Sequence, residues 1–183
     1  MKNAWLVALL TLSVFAAFVI ALMSWPERHN YGRYPLTGFH TLEDLKNAET
    51  DAVVAGVFSA VQRTTRDSGE TLHTYFAFNV KQVLWDPQHR IKGPSITIYQ
   101  MGGIEGRTTG ELEDDPLFRV NEEAILFLHE YETGSFQVRA GPAGRFTLVD
   151  DQVMTVGNDG LNFDKPIPKA DFINMMRSRG YGN

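Results

Sequence analysis

The sequence predicts a mainly β fold: a small barrel of five to six strands with short flanking helices, preceded by one transmembrane helix. Three observations favour this fold. Residues 4–23 form an uncharged apolar run, short alternating segments separated by turn residues follow it, and no strand–helix–strand alternation is present. A barrel would also pair the edge strands that an open meander leaves unpaired.

The apolar run at residues 4–23 is long enough to cross a bilayer. At about 1.5 Å of rise per residue, a helix of this length matches a hydrocarbon core of about 30 Å. A cleavable signal peptide has a shorter apolar core and small residues at its cleavage site, whereas Leu22, Met23 and Trp25 are bulky. The sequence therefore favours an uncleaved signal anchor, with cleavage and burial in a larger assembly as the alternatives.

The chain is predicted to have four parts. They are a short head at 1–3, the transmembrane anchor at 4–23, a linker at 24–40, and a barrel domain with a C-terminal helix at 41–183. A short head usually stays inside, so we expect a single-pass protein of the cell membrane with an extracytoplasmic C-terminal domain. The aromatic residues of the linker are expected either at the membrane interface or, for some of them, packed under the domain; they are Trp25, Tyr31, Tyr34 and Phe39.

The domain is predicted to begin with a short helix that ends near residue 48. Thr41 is a suitable N-cap, Asp44 lies in the first turn, and Leu42 and Leu45 share one face. The predicted strands are 52–61, 73–85, 95–100, 123–131, a unit at 136–140 and 145–149 that Gly and Pro interrupt, and 152–156. Residues 102–121 are predicted as a polar connection, and a helix at 165–177 closes the chain.

Two strands carry the clearest patterns. Along 73–85, Phe76 and Phe78 point to one face while Tyr75 points to the other, which is the period of a half-buried strand. The strand at 123–131 is apolar on both faces, which predicts a central position.

Composition limits the chemistry and the partners. The net charge is −5 and the basic residues are scattered, so neither nucleic acid nor an anionic lipid surface is an expected partner. The chain has no Cys, which excludes disulfides and thiolate metal sites. Its five His are dispersed, and neither a serine-nucleophile motif nor a phosphate-binding loop is present. The sequence therefore indicates no catalytic residue, no cofactor and no metal site.

Three segments resemble a known family. They are 75–84 (YFAFNVKQVL), 121–128 (NEEAILFL) and 141–146 (GPAGRF). Together they are similar to netrin-like domains, the OB-type barrels of tissue inhibitors of metalloproteinases and of some bacterial exported proteins. The resemblance implies an OB-like, netrin-like barrel. It does not extend to protease inhibition, because the animal inhibitors use an N-terminal Cys that this chain lacks.

Two regions are candidates for function. OB-type barrels bind ligands on their second and third strands, and the outward residues there, Tyr75, Asn79, Lys81 and Tyr99, form the predicted ligand face. The acidic loop 111–115 is either a solvated turn or a loose calcium site. We therefore expect a membrane-tethered binding or scaffolding module with a protein or glycan partner outside the cell. The alternative is an envelope-associated enzyme, or an enzyme subunit, that uses loop 111–115.

Overall fold

The computed structural model describes residues 26–33, 41–156, 163 and 165–182, and these residues form a mainly β fold. The strands are β1 (Glu27–Asn30), β2 (Ala52–Arg66), β3 (Leu72–Trp85), β4 (Ser95–Met101), β5 (Gly103–Glu105), β6 (Thr108–Glu111), β7 (Glu123–Glu132), β8 (Ser135–Val138), β9 (Arg145–Val149), β10 (Gln152–Thr155) and β11 (Ile167–Pro168). The helices are α1 (Leu42–Asn47) and α2 (Lys169–Ser178), with a 3₁₀ turn at Gly141–Gly144.

The predicted head at 1–3 and the predicted anchor at 4–23 lie outside the described residues. Within the described ranges, we find no helix with both the length and the apolar character that crossing a membrane requires.

Eight strands form one sheet, in the order β11-β10-β9-β7-β2-β3-β4-β8. Strand β8 also pairs with β7, so each of five strands pairs with two of the other four. We call these five the strand ring: β7, β2, β3, β4 and β8. The β4–β8 pair is parallel, and the other pairs of this strand ring are antiparallel. A separate three-stranded sheet contains β1, β6 and β5 in that order.

The two longest strands of the ring, β2 and β3, pair with each other. Strand β2 continues to Arg66 instead of ending near residue 61, because its polar end, including Thr64, pairs with the start of β3. Gly56 lies at an irregularity of β2 where a side chain would collide with the Asn79 carbonyl and the Phe78 ring. Only glycine therefore allows the two strands to approach this closely.

The inner core lies on one face of the strand ring. The alternation that the sequence predicts for β3 and β4 places Phe76, Phe78, Ile96 and Ile98 here. The inner core consists of Val54, Phe58, Phe76, Phe78, Ile96, Ile98, Phe118, Ala124, Leu126, Leu128, Phe136 and Val138. Phe118, from the β6–β7 connection, stacks on Phe58 with ring centroids 4.1 Å apart.

The outer core covers the opposite face of β2 and β7. Thr41 is the N-cap of α1, as predicted, and a capping box holds the start of the helix, since Thr41 and Asp44 exchange side-chain-to-backbone hydrogen bonds there. This helix buries Leu42 and Leu45, and α2 buries Phe172 and Met176. The outer core consists of Leu42, Leu45, Val53, Ala55, Ile125, Phe127, Ala140, Ala143, Phe146, Val153, Phe172, Met176 and Tyr181. Strand β7 is thus buried on both faces, as its sequence predicts.

Two stretches carry structure that the sequence pattern does not show. The β5–β6 hairpin lies within the predicted connection 102–121, and β1 lies within the predicted linker 24–40 and pairs with β6. Neither stretch has an alternating apolar pattern, and backbone pairing joins the three strands β1, β6 and β5. Tyr31 packs against the domain, where its hydroxyl accepts a hydrogen bond from the Leu72 amide at 2.9 Å.

Candidate ligand-binding face

Two of the predicted ligand residues lie side by side on the outer face of the strand ring. Tyr75 on β3 and Tyr99 on β4 are register partners, and their ring centroids are 5.4 Å apart at an interplanar angle of 65°. They point outward because Phe76 and Ile98 point into the inner core. This edge-to-face geometry is favourable for aromatic pairs.

Tyr131 adds a third ring from β7. It stacks on Tyr99 with centroids 5.3 Å apart and planes within 7° of parallel. Tyr131 is the extra residue of a bulge between the pairs Glu130–Phe136 and Glu132–Ser135, and bulges of this kind redirect a side chain. We call Tyr75, Tyr99 and Tyr131 the tyrosine platform. Tyr131 is 55% exposed, so its ring is the most accessible surface of the platform.

Hydrogen bonds connect Tyr99, the middle ring of the platform, to His73 and Asp67. The Tyr99 hydroxyl lies 2.6 Å from Nδ1 of His73, and Nε2 of His73 lies 3.1 Å from Oδ2 of Asp67. Because an ionised carboxylate only accepts, Nε2 of His73 donates to Asp67, and in the neutral imidazole tautomer Nδ1 accepts from the Tyr99 hydroxyl. Oδ1 of Asp67 accepts from the amides of Gly69 and Thr71 as well, so the β2–β3 turn and Tyr99 form one connected unit.

The ionisation states of Asp67 and Tyr99 near neutral pH suit a role in positioning the rings and not in proton transfer. The hydrogen bond from His73 is the largest of several effects that lower the pKa of Asp67, so this carboxylate stays charged. Burial, followed by the neighbouring Tyr131, raises the pKa of Tyr99 to about 12. Its hydroxyl is therefore neutral near pH 7 and fixes the ring instead of acting as a base.

A cation borders the platform on the β2 side. The guanidinium carbon of Arg63 lies 4.1 Å from the ring centroid of Tyr75, which is a cation–π contact. It covers one face of Tyr75 and leaves Tyr131 as the open ring.

The other two predicted ligand residues lie apart from the platform. Asn79 is four residues beyond Tyr75 on β3, about 13 Å along the strand, and its Oδ1 accepts from Ser59 Oγ at 3.4 Å. Lys81 is an extra residue of β3 between the pairs Gly56–Val80 and Ala55–Gln82. Its ammonium lies 2.6 Å from Oε1 of Glu123. The predicted face is therefore two separate groups of residues.

Sequence reasoning did not select His73, Asp67, Arg63 or Tyr131 for this face. One signal was available, since His73 lies two residues before Tyr75 and alternation places both on the same side. Tyr131 has no such signal, because its direction depends on a bulge that the sequence does not show.

The acidic loop 111–115 has partners inside the domain. Glu113 accepts from Asn30 Nδ2 at 2.8 Å and from Arg33 Nε at 3.2 Å, and these hydrogen bonds lower its pKa. Asp115 is buried 3.4 Å from Nη1 of Arg145. Across the part of the chain that the structure describes, no three His, Cys, Asp or Glu side chains are grouped to hold a metal ion.

Arg145 is the centre of a buried ion network. Its Nη2 lies 2.8 and 3.1 Å from the two carboxylate oxygens of Glu122, and its guanidinium lies 4.2 Å from the ring centroid of Phe118. Burial raises the pKa of Asp115 more than the Arg145 charge lowers it. This network joins β9 to the β6–β7 connection, which is a structural role.

Comparison with known proteins gives no family assignment. No protein-family model matches the sequence, and no curated protein is significantly similar to it. The residues of this chain and their geometry therefore carry the functional proposal.

Proposed function

We propose that this protein is a membrane-tethered binding module with an OB-like barrel, and that it holds a glycan on the tyrosine platform outside the cytoplasm. One observation carries the proposal: Tyr131 offers an open aromatic face, and its other face stacks on Tyr99, which a hydrogen bond to His73 holds in place. A preorganised ring binds at a low cost in conformational entropy, because its rotamer is set before the ligand arrives.

The order of the strand pairings supports the OB-like barrel. The first strand of the ring, β2, pairs with the second and the fourth, and the third and fifth strands, β4 and β8, pair in parallel. This connectivity is that of a five-stranded Greek-key OB barrel. That this barrel is of the netrin-like type is a further part of the proposal, and it rests on the three sequence segments that resemble that family.

The position of the platform supports ligand binding. Tyr75 and Tyr99 lie on the second and third strands of the ring, Asp67 lies in the turn between the first and second, and Tyr131 precedes the turn between the fourth and fifth. OB barrels bind oligonucleotides and oligosaccharides on this surface and these loops.

The local charge favours a glycan over a nucleic acid. Asp67 and Glu132 are close enough to Tyr99 to contribute to its raised pKa, so two carboxylates oppose an anionic ligand at that ring, while Arg63 covers the Tyr75 ring. Phosphates would be repelled there, whereas a neutral sugar ring presents apolar C–H groups to Tyr131 and hydroxyls to the polar side chains around it.

Titration of the full-length protein in lipid nanodiscs with a panel of neutral oligosaccharides tests the binding function. Tyr131→Ala should weaken the binding of a recognised oligosaccharide at least about tenfold, which corresponds to about 1.4 kcal/mol. Val149→Ala is the matched control, because Val149 is 46% exposed on β9, outside the platform. Equal affinities of the two variants, or no binding across the panel, would refute the function.

Alkaline extraction of native membranes tests the tether separately. The full-length chain should remain in the membrane pellet, because an apolar span is not released by alkali or salt. Release of unprocessed chain would refute the tether and leave the tyrosine platform unaffected.

A further inference from the structure

The chain reaches the domain at one defined place. Strand β1 runs parallel to β6 from the pair Glu27–Thr108 to the pair Asn30–Glu111. The amide of Glu27 donates to the carbonyl of Arg107 at 3.0 Å, so the start of β1 lies beside the turn of the β5–β6 hairpin.

Side chains fix this segment to the domain. The Tyr31 hydroxyl accepts from the amide of Leu72, and the Tyr31 ring lies so close to Gly110 that any side chain there would overlap it. Asn30 and Arg33 both donate to the carboxylate of Glu113. Residues 26–33 therefore belong to the domain and do not act as a free tether.

The predicted span ends close to this place. Four residue steps separate Met23 from Glu27, a distance of at most about 14 Å in a fully extended chain. If residues 4–23 cross the bilayer, the hairpin turn is held within that distance of the membrane surface. This step rests on the proposed tether.

The side chains of the turn suit a membrane surface. Ile104 is 63% exposed and is the most exposed of the large apolar side chains in the described part of the domain. Arg107 is exposed, and among the described residues none forms an ion pair with it. Glu105, the acid between them, is occupied by Arg66, whose Nη2 lies 2.8 Å away.

We propose that the β5–β6 turn rests on the bilayer that holds the span, with Ile104 at the acyl boundary and Arg107 on lipid phosphates. An apolar side chain beside a guanidinium fits this interface, where phosphate groups lie above hydrocarbon. The net charge of −5 opposes adsorption of the free domain. The tether overcomes this repulsion because it keeps the turn at a high local concentration near the lipid.

Single-cysteine labelling tests this orientation, since the natural chain contains no Cys. The full-length variants Ile104→Cys and Gly93→Cys, each carrying an environment-sensitive fluorophore, are reconstituted in phosphatidylcholine vesicles with a minority of phosphatidylglycerol. Some of the lipids carry a nitroxide quencher at the headgroup. Gly93 is the matched control, because it is exposed and has open space around it. It lies just before the start of β4, whereas the hairpin follows the other end of that strand.

The label at position 104 should lose most of its fluorescence, and the label at position 93 should lose almost none. Arg107→Cys provides a second site in the same turn and should behave like Ile104→Cys. Equal quenching at positions 93 and 104 in vesicle-bound protein would overturn this orientation while the tether stands. Failure of the protein to float with the vesicles would instead refute the tether, and this proposal with it.

Discussion

The inner core and the outer core share two strands but draw the rest of their residues from different parts of the chain. Alternate residues of β2 and β7 serve the two cores, as Val54 and Leu126 face inward while Val53 and Ile125 face outward. The remaining inner residues come chiefly from neighbouring strands. The outer residues come from α1, the segment 140–146, β10, and the C-terminal stretch up to Tyr181. Strands β2 and β7 therefore link the inner core, which follows local sequence patterns, to the outer core, which depends on distant segments of the chain.

The largest expected effect comes from breaking each core in turn. Phe58→Ala should cost about 3–5 kcal/mol of unfolding free energy, because Phe58 contacts Phe76, Phe78 and Phe118. Phe172→Ala in the outer core should cost a similar amount. Urea denaturation followed by two probes measures both. Because β2 and β7 belong to both cores, each variant should unfold in one transition, and a separate early transition in Phe172→Ala would show that the outer core is independent.

The next largest effect concerns the buried ion network that joins β9 to the β6–β7 connection. Arg145→Met should cost about 3–5 kcal/mol near neutral pH, because it leaves the buried Asp115 and Glu122 without their cation. Burial already raises the pKa of Asp115. A raised native pKa contributes stability at low pH that is lost as the pH rises through it, so the deficit of Arg145→Met should shrink as the pH falls below neutral and Asp115 takes up a proton.

Arg119→Met is the control for that change, since Arg119 is an exposed arginine of the same connection. Its effect on unfolding free energy should be small and should not depend on pH. A pH-independent loss in Arg145→Met would contradict the assignment of its cost to the unpaired acids.

A smaller effect is expected on the outer face, away from both cores. Tyr99→Phe removes the hydrogen bond to His73 and should cost about 1 kcal/mol. The Phe ring can still stack on Tyr131. The resonances of the Tyr131 ring should therefore shift little in an NMR spectrum. A large rearrangement of that ring would mean that the hydroxyl, and not the stacking, holds the platform.

The smallest effect is expected at the predicted ligand residue Lys81. Its ion pair with Glu123 is exposed on both sides, at 55% and 46% of the side-chain areas. Such surface pairs contribute about 0–1 kcal/mol. Lys81→Ala should therefore change the urea midpoint very little and leave oligosaccharide binding intact, in contrast to Tyr131→Ala. A loss of binding in Lys81→Ala would move the ligand site along β3.

The part of the inner core that lies on β3, β4 and β7 was predictable because it follows local patterns, whereas Phe118 lies in the connection predicted to be polar. Alternation along β3 and β4 identifies Phe76, Phe78, Ile96 and Ile98, and the apolar run of β7 predicts a strand buried on both faces. The cap at Thr41 was also readable, since capping uses side chains within four residues. These features need only short-range information.

The outer core and most of the platform were not predictable in this way. The Tyr181 hydroxyl donates to the carbonyl of Leu42, a contact between distant parts of the sequence that no periodicity shows. The β5–β6 hairpin and β1 are held by backbone pairing with little apolar signal. Of the platform, Tyr75 and Tyr99 follow from alternation, whereas the direction of Tyr131 depends on a bulge.

The direction of β1 has a mechanical consequence. Because β1 is parallel to β6 and begins at the hairpin turn, a pull on residue 26 away from that turn acts along both strands. The bonds between them would then be loaded in shear, all together, whereas a pull from the other end would peel them open one after another. If the proposed membrane span holds residue 26, the domain would therefore bear a pulling force from its N-terminal side without losing the pairing of its first strand.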